Sequence, residues 1–155
     1  MRWLVMLIII SLLFPGVSQA EKPKEAWVMC SPRGEVCVRS KPKRQAEEVG
    51  RVFSGDHIQL SGKRSGNWYH CYVACEDGQG WIRGDYLSFE EPEIYEGGKK
   101  YESTVDNLYT RESINGNKKG KINKGTEVTV YMTGDGWSVT SKGFIMAKFL
   151  EEVPE

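Results

Sequence analysis

The stretch GRVFSGDHIQL, Gly50 to Leu60, decides how this chain reads, because GKINKGTEVTV, Gly120 to Val130, repeats its pattern. Each opens on glycine, a basic residue and an aliphatic one. Each returns to glycine five residues on and then alternates polar with apolar. That alternation is the period of a strand with one buried face.

The match extends outward in both directions. Val36-Cys-Val-Arg39 precedes the first phrase as Leu108-Tyr-Thr-Arg111 precedes the second. Downstream, Gly66-Asn-Trp68-Tyr answers Asp135-Gly-Trp137-Ser, Gly80-Trp-Ile82 answers Gly143-Phe-Ile145, and Asp85-Tyr-Leu87 answers Lys148-Phe-Leu150. Blocks repeated in a preserved order define a duplicated unit. Gly62 to Gly66, Thr133 to Gly136, Asp77 to Gly80 and Ser141 to Gly143 carry turn chemistry between the strands. Outside the N-terminus no segment holds a helical period. The expected fold class is therefore all-β: two small barrels in tandem. The units span 26–89 and 101–152, joined by an acidic, Pro- and Gly-broken linker at 90–100.

The N-terminus is a separate object. Arg2 precedes the apolar run Leu4–Phe14, Pro15 and Gly16 break it, and Ser18-Gln19-Ala20 has the small-x-small form of a cleavage site. Residues 1–20 read as a secretory signal peptide. A bilayer span needs about 20 apolar residues, so an anchor is the weaker reading. The expected location is exported, periplasmic or extracellular, with no stable membrane insertion after cleavage. Lys and Arg total 21 and Asp and Glu total 21. No uniform field exists to favour nucleic acid as partner.

Export gives meaning to Cys30, Cys37, Cys71 and Cys75, an even number in a small chain. In an extended strand Cys71 and Cys75 would lie about 13 Å apart, beyond the ~7 Å a disulfide tolerates. The expectation is that Cys30 and Cys37 each cross to Cys71 or Cys75, with the choice of pairing open. Zinc is disfavoured because the spacings lack the C-x2-C knuckle. No metal and no cofactor is expected.

The ordered blocks resemble the bacterial Src-homology-3-type (SH3b) family: a Val-Arg strand, the diverging glycine turn, Gly-Trp-Tyr, Gly-Trp-Ile and Tyr-Leu. The resemblance covers nearly all of the chain after residue 25. It implies two SH3-like barrels and, as in members of that family, binding of peptidoglycan peptides or other envelope components. The copies depart from the pattern at Lys41-Pro42, at the four cysteines, at Glu112-Ser-Ile114 and at Phe144.

Enzymatic chemistry finds little footing. His57 matches Glu127 in the second copy, as a solvated strand position would, and His70 faces no carboxylate in sequence. Neither a phosphate loop nor a His-x-x-x-His motif is present. Catalytic residues are expected to be none. The informative side chains are aromatic, and Trp68, Tyr69, Tyr72, Trp81, Tyr86, Tyr109 and Trp137 form the candidate ligand-binding set. Core packing competes as their role, since so small a barrel needs large side chains to bury enough area; that reading is preferred for Trp81, Tyr86, Phe144 and Phe149. The basic loops at Lys41, Lys43 and Arg44 and at Lys118, Lys119 and Lys121 are solubilising or contact acidic groups at a groove edge. The expected function is a non-catalytic exported module binding cell-wall glycan or peptide. The alternatives are a structural adaptor for a secreted or envelope protein and an accessory subunit of a separate peptidase.

Overall fold

The structure is a computed structural model that describes residues 22–73 and 78–154. The expected signal peptide and Cys75 lie outside the described residues. Among those described, the chain is all-β, with two short 3-10 turns at Gly84–Tyr86 and Ala147–Phe149. None of its helical segments is long and apolar enough to cross a membrane.

The first half contributes β1 (Glu25–Val28), β2 (Glu35–Arg39), β3 (Glu48–Phe53), β4 (His57–Ser65), β5 (Trp68–Tyr72), β6 (Gln79–Arg83) and β7 (Leu87–Ser88). The second contributes β8 (Glu93–Ser103), β9 (Leu108–Arg111), β10 (Lys118–Ile122), β11 (Glu127–Gly134), β12 (Trp137–Thr140), β13 (Gly143–Met146) and β14 (Leu150–Glu152). The first sheet runs β3-β2-β6-β5-β4-β1-β7 and the second β10-β9-β13-β12-β11-β8-β14. Raising every label of the first by seven gives the second, so the repeated sequence folds to a repeated topology. All pairings are antiparallel.

The opening phrase accounts for one shared device. Each copy reverses direction through a turn whose glycine has positive φ, 90° at Gly55 and 75° at Gly125, a region that glycine occupies without a Cβ penalty. Asp56 N–H donates to Phe53 O at 3.0 Å, and Thr126 N–H donates to Asn123 O at 3.0 Å. A side-chain oxygen closes each turn: Asp56 Oδ2 accepts from Phe53 N–H at 2.8 Å and Thr126 Oγ1 from Asn123 N–H at 3.3 Å. The glycine N–H then ties the turn to the first strand of its unit, Gly55 to Val28 O and Gly125 to Ser103 O, both at 2.8 Å.

The expected linker at 90–100 is corrected. From Glu93 onward these residues are β8, which pairs with both β11 and β14. The pairing passes from Met132↔Ile94 to Val130↔Lys99, so Tyr95 to Gly98 bulge opposite Tyr131 alone. Glycines and charges suited to a linker are here the composition of a bulged edge.

Three apolar clusters hold the molecule together. Ala26, Val28, Val38, Ile58, Leu60 and Ile82 anchor the first unit's core; Leu108, Ile122, Val128, Val130 and Ile145 anchor the second's. The third joins the halves: Met29 of the first packs with Ile114, Met132, Trp137, Val139 and Phe144 of the second. Alternation explains the placement. Val28 faces its own core, and the next residue, Met29, faces outward into the partner half and is fully buried. Every residue of β12 is buried, because that strand has a core on one face and the first half on the other. Burying one such side chain stabilises by roughly 1.5–3 kcal/mol, so the junction is a substantial packing interface.

Candidate functional site

A cleft of about 920 Å3 opens between the halves. Its first wall carries Arg39, Arg44, Trp68, Arg83, Asp85 and Tyr86; its second carries Arg111, Glu112, Ser113, Asn115 and Lys118.

Equivalent arginines support both rims. Arg39 ends β2, where Val38 points into the core, and its Nη1 donates to Ala46 O at 3.3 Å. Arg111 ends β9, and its Nη1 donates to Gly116 O at 2.7 Å. Each arginine thus pins the loop that follows its own strand. The first loop folds back through Ser40 N–H to Glu47 O at 2.9 Å, the second through Glu112 N–H to Asn117 O at 3.1 Å. The second loop also docks on the first half, with Ile114 N–H donating to Asp85 O at 2.9 Å.

Charge is uneven across the cleft. Arg83 pairs with the buried Asp85, which also accepts from Asn67 Nδ2. Arg39 lies 3.8 Å from Glu48. Among the described residues Arg44 has neither a hydrogen bond nor an ion pair. Burial, and then the charge of Arg44, lower the pKa of Arg83 from the ordinary guanidinium value. It remains a cation, since arginine titrates far above neutrality.

The aromatic set disperses. Trp68 and Tyr86 line the cleft together. Trp81 is half-buried and stacks edge-on against His70 at 5.1 Å. Tyr69 packs on Phe89 at 5.1 Å, with Arg64 over its ring at 4.9 Å, and lines a small hollow with Lys22 and Pro23. Tyr72 is 52% exposed and lies with the exposed Phe53 in a separate shallow hollow. Tyr109 lies on the outer face of β9, with Lys118 Nζ 3.8 Å and Lys121 Nζ 4.9 Å from its ring centroid. Those lysines lower its phenol pKa, chiefly through the hydrogen bond from Lys118. Trp137 is corrected as a groove residue: it is 8% exposed and packed in the cluster that holds the halves together.

Two of the four cysteines also need correction. Cys30 and Cys37 carry thiols rather than disulfides. Strand alternation gives the reason for Cys37: Val36 and Val38 take the core side of β2, so Cys37 points outward, whereas Cys71 is fully buried in the core cluster. Cys30 is buried in the same cluster, next to the turn at Gly34. His57 stands exposed, 3.0 Å from Glu25 and 4.8 Å from the Trp27 ring centroid.

Sequence reading located the basic loops at Arg44 and Lys118 but passed over Arg83 and treated Arg39 and Arg111 only as repeat markers. The signal was available. Both units end the same strand in arginine, and a cation retained at one position of a duplicated unit is a position to examine.

No family model matches the chain, and no curated protein matches it. Among solved structures it is similar to NlpC1 from Trichomonas vaginalis, at 17% identity and TM-score 0.35 over 94% of this chain. It is also similar to NlpC2 from Trichomonas vaginalis, at 14% identity and TM-score 0.35 over 84% of this chain. The chain spans about half the length of these structures, covering 51% and 48% of them.

Proposed function

We propose that this chain is an exported, non-catalytic binding module of the cell envelope. In this reading each seven-stranded sheet is a small SH3b-type barrel, and an extended wall-derived peptide or glycan docks in the cleft between them. The observation that carries the reading is the convergence of both units' strand-end arginines, Arg39 and Arg111, on one cleft that also presents Trp68 and Tyr86. A groove with an aromatic platform and a few directional donors suits an extended polar ligand. Because the two halves share a packed junction, the ligand would meet a preformed cleft and not two tethered sites, which lowers the ordering cost of binding.

Retention of the purified mature protein on isolated cell wall tests this. Wild type should be retained, and Trp68→Ala should weaken retention several-fold without loss of fold. If wild type is not retained, wall binding is wrong.

A second reading has an observation of its own. Trp137, Phe144 and Ile114, the aromatic and loop residues of the second unit, are buried against Met29. That unit would then serve as a structural adaptor that seats the first, and a secreted or envelope protein would be the partner. Co-purification of a partner whose contact survives Trp68→Ala favours this second reading.

A further inference from the structure

We infer that the inter-unit cleft is an oxyanion receptor, in which Arg44 and Arg83 of the first half and Arg111 of the second together bind a carboxylate or phosphate group of the ligand. The inference rests on the proposed use of this cleft and adds the chemistry that the ligand must carry.

Charge concentration is the first argument. Arg39, Arg44, Arg83, Arg111 and Lys118 line one space with only Glu35, Asp85 and Glu112 as lining carboxylates. The whole chain, by contrast, balances 21 cations with 21 anions. Glu35 binds Arg51, which does not line the cleft, and Asp85 is paired with Arg83 inside it. Arg44, Arg111 and Lys118 are therefore the lining cations without an ion pair among the described residues, against Glu112. The excess of positive charge is therefore local to the cleft.

Unused donor capacity is the second. A guanidinium has five N–H donors. Arg111 uses one on Gly116 O, and Arg44 uses none within the described residues. Arg83 is three-quarters buried by its side chain, yet it feels repulsion from Arg44 rather than a second carboxylate. Arg44 and Arg83 line the same cleft, and an oxyanion bound between two cations is favoured by both. Planar guanidinium pairs match carboxylate and phosphate oxygens in a bidentate geometry.

Preorganisation is the third. Arg111 is held by its own loop carbonyl and Arg83 by Asp85. Arg111 belongs to the second half and the other two to the first, so the receptor exists only while the junction is closed.

The test uses two independent readouts on the mature chain. In the first, oligoglutamate and tripolyphosphate are titrated at matched ionic strength and the melting temperature is followed. A saturable rise for either probe, weakened roughly tenfold in apparent affinity by Arg44→Gln and by Arg111→Gln, supports the receptor, and the more effective probe identifies the oxyanion. Arg44→Gln removes charge at an exposed position with no hydrogen bond among the described residues. Arg111→Gln also releases the Gly116 carbonyl, so its melting temperature without probe is measured first and only the probe-induced rise is compared. Lys148→Gln, outside the cleft, controls for net charge. No saturable rise, or an equal response in all variants, overturns the inference. In the second readout, retention on cell wall is compared after carbodiimide amidation of wall carboxylates and after hydrofluoric acid removal of phosphodiester polymers. Loss with one treatment supports the receptor and names the source; retention insensitive to both overturns it. Failure of untreated wall to retain wild type, with the probe titration intact, would sink wall binding and leave the oxyanion receptor standing.

Discussion

The backbone N–H of Ile114 donates to the carbonyl oxygen of Asp85 across 2.9 Å, joining the loop of the second half to the 3-10 turn of the first. The Asp85 carboxylate pairs with Arg83 in the cleft. The Ile114 side chain is buried beside Met29 in the junction. One contact therefore links the apolar seam between the halves to the polar wall of the candidate site, and a change at the seam should be felt in the cleft.

Met29→Ala tests that link. Met29 is fully buried, and Gly134 approaches so closely that a Cβ there would lie 3.3 Å from its sulfur. Truncation leaves a cavity between the halves, and such changes typically cost about 2–5 kcal/mol. Urea unfolding should show the wild type as a single transition and the variant with a lower midpoint. Separate transitions for the halves in wild type would show that the seam does not couple them.

The repeated Gly-aromatic-Ile block makes a paired prediction. A Cβ at Gly80 would stand 2.5 Å from Val38 Cγ1 and 3.1 Å from Arg39 O. One at Gly143 would stand 2.6 Å from Arg111 O, where φ is already +115°. In both units the glycine lets its strand approach the carbonyl of the strand-end arginine that lines the cleft. Gly80→Ala and Gly143→Ala should each destabilise by roughly 1–3 kcal/mol. Gly143→Ala should cost more, because its clash is with backbone and its φ is strained. Thermal melts of the two variants check the order.

These examples mark what the sequence could and could not tell. The duplication was legible because each block has a local cause: Gly55 and Gly125 turn the chain, and Gly80 and Gly143 let it pass close to a neighbour. The linker was misread because Gly97-Gly98 fits a bulge as well as a hinge, and only the partner Tyr131 distinguishes them. Trp137 was misread for a non-local reason. Its position in the unit matches Trp68, yet the cluster that buries it includes Met29 of the other half. Arg83 and Arg111 lie far apart in sequence, and only folding brings them to the lining of one cleft. Repeat comparison sees one unit at a time, whereas the candidate site is made by two.

The cysteines should differ in reactivity. Cys37 is partly exposed on the outer face of β2, while Cys30 is 6% exposed. An aromatic disulfide reagent applied to native protein should label Cys37 first and leave Cys30 until unfolding. Burial, and then the hydrogen bond to Glu48, raise the Cys37 thiol pKa, with Arg39 and Arg51 opposing. Its labelling rate should thus still be rising with pH above the ordinary thiol value of about 8.5. Glu48→Gln should shift that rise to lower pH. Non-reducing peptide mapping that finds Cys30 or Cys37 in a disulfide would contradict the thiol assignment.

His70 predicts a pH dependence of stability. It is 9% exposed, its Nδ1 lies 2.9 Å from Ser61 Oγ, and its ring meets Trp81 edge-on at 5.1 Å. Burial, and then the charge of Lys63, lower its pKa from the ordinary imidazole value. The unfolded chain therefore takes up this proton at a higher pH than the folded one, and in that window the unfolded state binds more protons. Stability must rise with pH there. The contribution is complete above about pH 6.5, the unfolded value, and is lost as pH falls below it toward the lower folded value. Urea midpoints measured between about pH 5 and 8 should fall on the acid side in wild type. His70→Gln keeps a polar group for Ser61 and should flatten that part of the curve, leaving the carboxylate-driven fall at lower pH unchanged. A wild-type curve that stays flat as pH falls from about 6.5 to about 5 would show that His70 protonates in the folded protein without cost.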